Sequence, residues 1–298
     1  MLPEELRTAI GQSVFEASSG TFHLADIYPA GGGCINSAYR LSDADGRLLF
    51  LKLNRASLSG MFAAEFDGLV ELRQPAAIRV PEPLCFGQTA SHAWLVTEHI
   101  RFASPRAGSE ARLGEELAAL HRHTADRFGW HRDNTIGSTP QPNGQATDWI
   151  DFLRERRLGF QLRLAAGNGF RGRLQSLGER LLDDLPRFFD TYRPLPSLLH
   201  GDLWGGNLAY DEAGAPVIFD PAVYYGDREA DLAMTELFGG FGRDFHAAYR
   251  AAWPLDEGYP VRKTLYNLYH ILNHANLFGG GYASQAESML QRLLAELR

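Results

Sequence analysis

The densest concentration of reactive side chains in the sequence is His200-Gly201-Asp202-Leu203-Trp204-Gly205-Gly206-Asn207. Asp220 follows eighteen residues after Asp202, within Val217-Ile218-Phe219-Asp220-Pro221. Asp, Asn and Gly are common in turns, so none of these alone carries a functional reading. Together they fit phosphoryl transfer, which needs a carboxylate beside the attacking hydroxyl and oxygen ligands for Mg²⁺. Asp202 suits the first role, and Asn207 and Asp220 suit the second. Leu208 to Tyr210 and Val217 to Phe219 are short apolar runs, and Asp211-Glu212-Ala213-Gly214 between them is turn chemistry. The hairpin predicted there brings its two ends together, so that one metal bridges Asn207 and Asp220 to nucleotide phosphates.

These groups need a frame. Residues 21–29 and 36–41 flank Gly31-Gly32-Gly33 and read as strand, turn, strand. Residues 47–53 form a further strand. Its period of two puts Leu49, Leu51 and Leu53 on one face and leaves Lys52 as a lone charge beside Leu48 and Phe50 on the other. A helix over 59–73 follows, with Phe62, Phe66, Leu69 and Val70 as its apolar stripe. Glu65 flanks that stripe, and Asp67 and Glu71 point away. Pro81 and Pro83 end this region, and a strand over 93–96 leads into Glu98-His99-Ile100. The first hundred residues thus read as strands with one helix. From Ser109 onward the pattern is chiefly helical, with clear helices near 260–277 and 285–297. Segment 126–148 reads as a long polar loop, and short strands fall at 197–200, 207–210 and 216–219. A small β-rich lobe followed by a large helical lobe implies a cleft between them.

The HGD-x-x-x-x-N run with its downstream Asp resembles the aminoglycoside phosphotransferase and choline kinase branch of protein-kinase-like enzymes. A closer resemblance is to the fructosamine kinase (ketosamine-3-kinase) family. It is carried by His200 to Asn207, Phe219-Asp-Pro-Ala-Val-Tyr-Tyr-Gly226, Leu237-Phe-Gly-Gly-Phe241, Gly31-Gly-Gly-Cys-Ile-Asn36, Phe128-Gly-Trp130 and Ile136 to Asn143. The resemblance implies an α+β, two-lobed protein-kinase-like fold, with a lobe over 1–98 and a helical lobe over 99–298. It implies ATP and Mg²⁺ as cofactors, Asp202 as proton acceptor, Lys52 on the α- and β-phosphates with Glu65 as its helix partner, and Glu98, His99 and Ile100 as an adenine hinge. The implied reaction is phosphorylation of a ketosamine, free or on a protein amine, at its O3 hydroxyl, with protein deglycation as a consequence. A kinase for another small alcohol, aminoglycoside- or choline-like, is the alternative. A nucleotide-binding pseudokinase scaffold is a third reading, and the intact set Lys52, Glu65, Asp202, Asn207 and Asp220 argues against it.

Gly32 and Gly33 bring backbone N–H groups close to phosphates, although the triplet lacks the G-x-G-x-x-G spacing of protein kinases. Cys34 in that turn is either an inert small residue or a thiol that links two chains on oxidation, giving a monomer or a redox-sensitive homodimer. Trp204 and Tyr225 either stack on substrate or pack under the catalytic loop. His270 and His274 have the i, i+4 spacing of a zinc helix but no accompanying Glu or Cys set, and are read as lining the sugar site. Asp231 is expected to brace the catalytic loop. Arg154, Arg156 and Arg157 read as a solvated helix face.

Composition narrows the classes. A formal net charge of −7 without a basic face argues against a nucleic-acid partner. No apolar run approaches bilayer length, which predicts no membrane span. Two cysteines, Cys34 and Cys85, are no disulfide framework and point to a reducing, cytoplasmic setting.

Overall fold

The computed structural model describes residues 2–31 and 36–297. Gly32, Gly33 and Cys34 lie outside the described residues, so the phosphate-cover and thiol readings have no structural counterpart here.

The chain opens with helix α1 (Glu4–Ala17), a second helix in a region read as strands with one helix. Its signal is sparse: Leu6, Ile10 and Val14 repeat every four residues and are buried, Phe15 is exposed, and the other positions are polar or small. Strands β1 (Leu24–Ala30), β2 (Ser37–Asp43) and β3 (Leu48–Arg55) form an antiparallel meander. Helix α2 (Ser59–Arg73) follows at the expected position. Strands β4 (Pro83–Gln88) and β5 (His92–Glu98) complete a five-stranded sheet of order β1-β2-β3-β5-β4. Pro83 does not end the region as expected. It starts an edge strand, where its missing N–H breaks no ladder.

The two faces of this sheet have different tasks. Leu41, Leu51, Leu53, Trp94 and Val96 pack with Leu6, Ile10 and Val14 of α1 into a closed apolar cluster. The opposite face carries Phe50 and Lys52 towards the cleft. On α2, Phe62, Leu69 and Leu72 are buried, whereas Val70 faces solvent, because Gly68 and Leu72 occupy the inward positions.

The remaining chain is mainly helical: β6 (Phe102–Ala103), α3 (Ser109–His121), the β7–β8 hairpin (Asn134–Ile136, Thr139–Gln141), α4 (Trp149–Phe152), α5 (Gly159–Gly167) and α6 (Arg173–Asp184). Next come β9 (Ser197–Leu199), the hairpin β10 (Leu208–Asp211) and β11 (Pro216–Ile218), and β12 (Tyr224–Gly226). Helices α7 (Glu229–Leu237), α8 (Arg243–Ala252), α9 (Tyr259–Phe278) and α10 (Tyr282–Glu296) close the fold. One large core runs without a break from Phe62 and Leu69 of α2 to Leu290 and Leu293 of α10. No helix among the described residues is long and apolar enough to cross a membrane.

Segment 126–148 is not the open loop its composition suggests. Phe128, Trp130, Ile136, Gln141 and Asn143 are buried, and Phe128 bridges Ala146 while Gly129 bridges Tyr225. Part of what holds it is Arg157, which belongs to the core and not to a solvated face. It lies on the π-helical stretch Leu153–Leu158 and is 1% exposed. Its Nη1 donates to Pro142 O (2.6 Å) and its Nη2 to Asn143 Oδ1 (2.7 Å), and its guanidinium sits 4.0 Å from the Tyr224 ring centroid. Arg157→Ala leaves two acceptors unpaired and a void beside an aromatic ring. It should destabilise the fold by on the order of 3 kcal/mol, measurable by urea denaturation. A change below about 0.5 kcal/mol, the usual surface value, would return this arginine to the solvated face.

Candidate active site

The site is assembled where the cleft face of the sheet meets the β9–β12 region. Lys52 sits mid-strand in β3 and is 8% exposed. A buried ammonium needs partners, and it has two: Glu65 of α2 and Asp220, which follows β11. Burial opposes its charge, but the fields of Glu65 and then Asp220 outweigh that and hold it protonated well above the usual range.

Asp220 adopts φ +57°, left-handed backbone that non-glycine residues rarely take. That conformation lets a carboxylate leave the end of β11 towards Lys52. As predicted, the β10–β11 hairpin makes Asn207 and Asp220 neighbours. Phe219 N–H donates to Asn207 O (3.1 Å), and Asn207 Nδ2 lies 3.5 Å from Asp220 O. The turn is held by Asp211, whose Oδ1 accepts from the N–H groups of Ala213 and Ala215, both at 2.9 Å.

Asn207 Nδ2 also donates to Asp202 O (2.9 Å) and Asp202 Oδ2 (3.2 Å), which fixes the second carboxylate of the site. Burial, then the fields of Asp220 and Asp231, push the Asp202 carboxyl up to about 7, against the lowering effect of the Asn207 hydrogen bond. The loop before it is held from below. Asp231 accepts from His200 N–H (2.7 Å) and Gly201 N–H (2.9 Å), the arrangement a bracing role requires. Burial works against its charge, and the hydrogen bond and field of His121, the field of His200 and the Gly201 N–H together hold its carboxyl below the usual range. His200 ties the loop to the end of the β10–β11 hairpin: its Nε2 meets Phe219 O at 3.0 Å, and its Nδ1 accepts from Asp202 N–H (3.3 Å). Burial lowers its pKa, which keeps the ring neutral and suited to this split of donor and acceptor. Gly201 has φ +82°, and a Cβ there would overlap Ala222 O, so only glycine fits.

Lys52, Glu65, Asp202, Asn207 and Asp220 all line one cavity of about 670 Å³. Glu98, His99 and Ile100 line its other side. The Glu98 N–H is taken by Glu82 O (2.7 Å), and its carboxylate accepts from Arg79 Nη2 (2.6 Å). Trp204 is at the mouth, 39% exposed, edge-on to Phe238.

Three of the proposed substrate residues are not in the cavity lining. Tyr225 turns away because its hydroxyl donates to Glu71 (2.7 Å). His270 points into the interior side of α9, 5% exposed. Burial pushes its pKa down to about 3, and its Nδ1 has no partner among the described residues. His274 packs among Phe238, Phe278 and Tyr282. Sequence reasoning missed Asn134 and Thr135, which line the cavity from the β7–β8 hairpin together with Gly137 of the Ile136–Asn143 segment. It also missed Phe102, stacked on Phe219 at 5.4 Å. The buried positions of segment 126–148 were the available signal, hidden by its many polar residues.

Among the described residues no three His, Cys, Asp or Glu side chains converge as a metal cage. The residues present nevertheless fit Mg²⁺, which keeps several waters and takes one or two protein oxygens plus phosphate oxygens. The Asp220 carboxylate is 46% exposed, and Asn207 uses its amide nitrogen in the described hydrogen bonds, which leaves its Oδ1 free to ligate.

The family model described as fructosamine kinase matches residues 6–296. The chain is 46% identical over 288 residues to a Synechocystis protein named probable ketoamine kinase, covering 96% of each. It is 42% identical over 278 residues to a chloroplastic protein-ribulosamine 3-kinase of Arabidopsis thaliana, covering 92% of this chain and 84% of the relative. A crystal structure from Haemophilus somnus, described as a candidate fructosamine-3-kinase, superposes with TM-score 0.86 at 30% identity over 96% of both chains. More distant aminoglycoside phosphotransferases share the two-lobed, protein-kinase-like α+β fold alone.

Proposed function

The chain belongs to the fructosamine kinase family, and on that premise we propose that it transfers the γ-phosphoryl group of ATP to the O3 hydroxyl of a ketosamine. The observation that carries this reading is the convergence of Lys52, Asp202, Asn207 and Asp220 on one cavity in a chain matched along nearly its whole length. Lys52, steadied by Glu65, holds the α- and β-phosphates. Adenine lies against His99 and Ile100, where the chain passes from a lobe over 1–98 to one over 99–298. Asn207 and Asp220 hold Mg²⁺, which supplies charge neutralisation for the phosphates when bound. Asp202 accepts the hydrogen bond of the attacking hydroxyl and takes its proton, and His200 and Asp231 keep the Asp202 backbone in register. Trp204 at the mouth offers a face to the sugar. The amine is free or part of a glycated protein, in which case the reaction begins deglycation. Ribulosamines are expected to be favoured over fructosamines, in line with the name of the plant relative. The aminoglycoside-like reading has only the shared fold behind it, and the scaffold reading must explain an intact set of five polar residues.

Two measurements test this. ATP consumption should rise with ribulosamines or fructosamines and not with simple amino alcohols. No stimulation by any ketosamine would overturn the substrate half. The pH dependence tests Asp202: it must be ionised to accept a proton, and its carboxyl titrates at about 7. Below that, kcat/KM should fall about tenfold per pH unit, because kcat/KM reports the free enzyme. A flat profile between pH 5.5 and 8 would remove Asp202 as the titrating base.

A further inference from the structure

We propose that Glu71, Tyr225, Trp130 and the Asp67–Arg132 ion pair form a brace that fixes α2 against the large lobe and thereby sets the position of Glu65, so that the Lys52–Glu65 contact is built in and not acquired by a swing of the helix. The inference rests on the reading of Lys52 as the phosphate-holding lysine. It also gives Tyr225 a positioning role in place of the substrate role its sequence suggested.

The geometry of α2 carries the argument. Glu65, Gly68 and Glu71 recur every three residues and so run along one stripe of the helix. Glu65 reaches Lys52 at the upper end of that stripe. In the middle, Gly68 lies so close to the segment after Asp220 that an added Cβ would sit 3.1 Å from Val223 Cγ2 and 3.8 Å from Pro221 Cγ. At the lower end, Glu71 Oε1 accepts from Tyr225 O–H (2.7 Å), and Glu71 Oε2 is 3.5 Å from the Trp130 indole nitrogen. Asp67, one turn before Glu71, pairs with Arg132. The sequence had placed Asp67 and Glu71 on the outward face. Both instead reach across to the large lobe.

The anchors are themselves rigid. Gly129 and Tyr225 exchange two backbone hydrogen bonds of 2.8 Å, and Asn134 Nδ2 donates to Val223 O (2.8 Å). Trp130 is 3% exposed. Burial, then the Glu71 hydrogen bond, raise the Tyr225 pKa, so the phenol stays protonated and remains a donor. The Asp67–Arg132 pair is about one-third exposed at each end and contributes little on its own. The Glu71 contacts, nearer the buried stripe, are the principal pins. Because the segment that receives α2 begins at Asp220, the brace fixes both carboxylates of Lys52 with respect to one another.

Titration of a non-hydrolysable Mg·ATP analogue into the full chain, without acceptor, tests the brace. Glu71→Ala should weaken nucleotide binding about tenfold, within the range by which such supporting residues act. Glu71→Gln keeps a carbonyl for the Tyr225 hydroxyl and should recover most of the affinity. In a Glu65→Ala background Glu71→Ala should cost nothing further, because the brace acts through Glu65. If Glu71→Ala does not fold, Tyr225→Phe removes a single hydroxyl and should weaken the nucleotide severalfold while leaving the acceptor KM unchanged. A raised acceptor KM with unchanged nucleotide affinity in Tyr225→Phe would return Tyr225 to the substrate site and overturn the proposal. So would an undiminished effect of Glu71→Ala without Glu65. An error in the acceptor assignment leaves these titrations unaffected, whereas failure of the wild-type chain to bind Mg·ATP contradicts the kinase reading itself.

Discussion

Asp202→Asn is expected to lower kcat by roughly 10²–10⁴-fold, the usual worth of a positioned acid–base group, while leaving Mg·ATP affinity close to that of the wild type. The substitution keeps the shape of the side chain and removes its negative charge and its capacity to take a proton. The loop around it does not depend on the carboxylate. His200 and Gly201 are held by Asp231, and Asn207 still donates to the backbone O of residue 202. Lys52, Glu65 and Asp220 are tied to one another and make no hydrogen bond to Asp202. Steady-state kinetics with saturating ketosamine, paired with nucleotide titration, separate the two effects. Turnover within a few fold of wild type would take Asp202 out of the mechanism, and loss of nucleotide binding would make its role structural.

Asp220→Ala should weaken Mg²⁺-dependent nucleotide binding by more than about a hundredfold, since loss of supporting contacts around a metal already costs 10–100-fold and Asp220 is the proposed ligand itself. Lys52 keeps Glu65, so its charge stays paired. The side chain is 46% exposed, and the thermal stability of the nucleotide-free protein should change little. Calorimetry with and without Mg²⁺ checks this. An affinity that is unchanged, or that falls equally without the metal, would assign Asp220 to Lys52 alone and leave Mg²⁺ to other groups.

What the sequence made legible follows from where local chemistry decides the outcome. The β10–β11 hairpin was readable because Asp211 to Gly214 is turn chemistry between two apolar runs, and that alone places Asn207 beside Asp220. Lys52 was readable because one charge in a strand of leucines demands partners, and α2 because Phe62, Phe66 and Leu69 recur at helical spacing. Helix α1 was missed because three buried residues in fourteen leave a weak stripe. Arg157 and Glu71 were misread for a common reason. A charged side chain on a helix is assigned to solvent by default, and only the fold shows the carbonyl, amide or phenol that receives it. Tyr225 was placed near the sugar by the motif it belongs to, and His270 and His274 by their i, i+4 spacing, yet side-chain direction, set by β12 and α9, takes each out of the cavity lining.

The central claim is the transfer of a phosphoryl group to O3 of a ketosamine, and NMR of the fresh product tests it most directly. With Mg·ATP and a ribulosamine, the phosphorus should couple to the proton on C3. Phosphate at O3 lies β to the acidic position beside the C2 carbonyl, so the isolated product should then slowly release inorganic phosphate and free amine. A stable product carrying phosphate on the terminal hydroxyl would contradict the account, whatever the rate at which it formed.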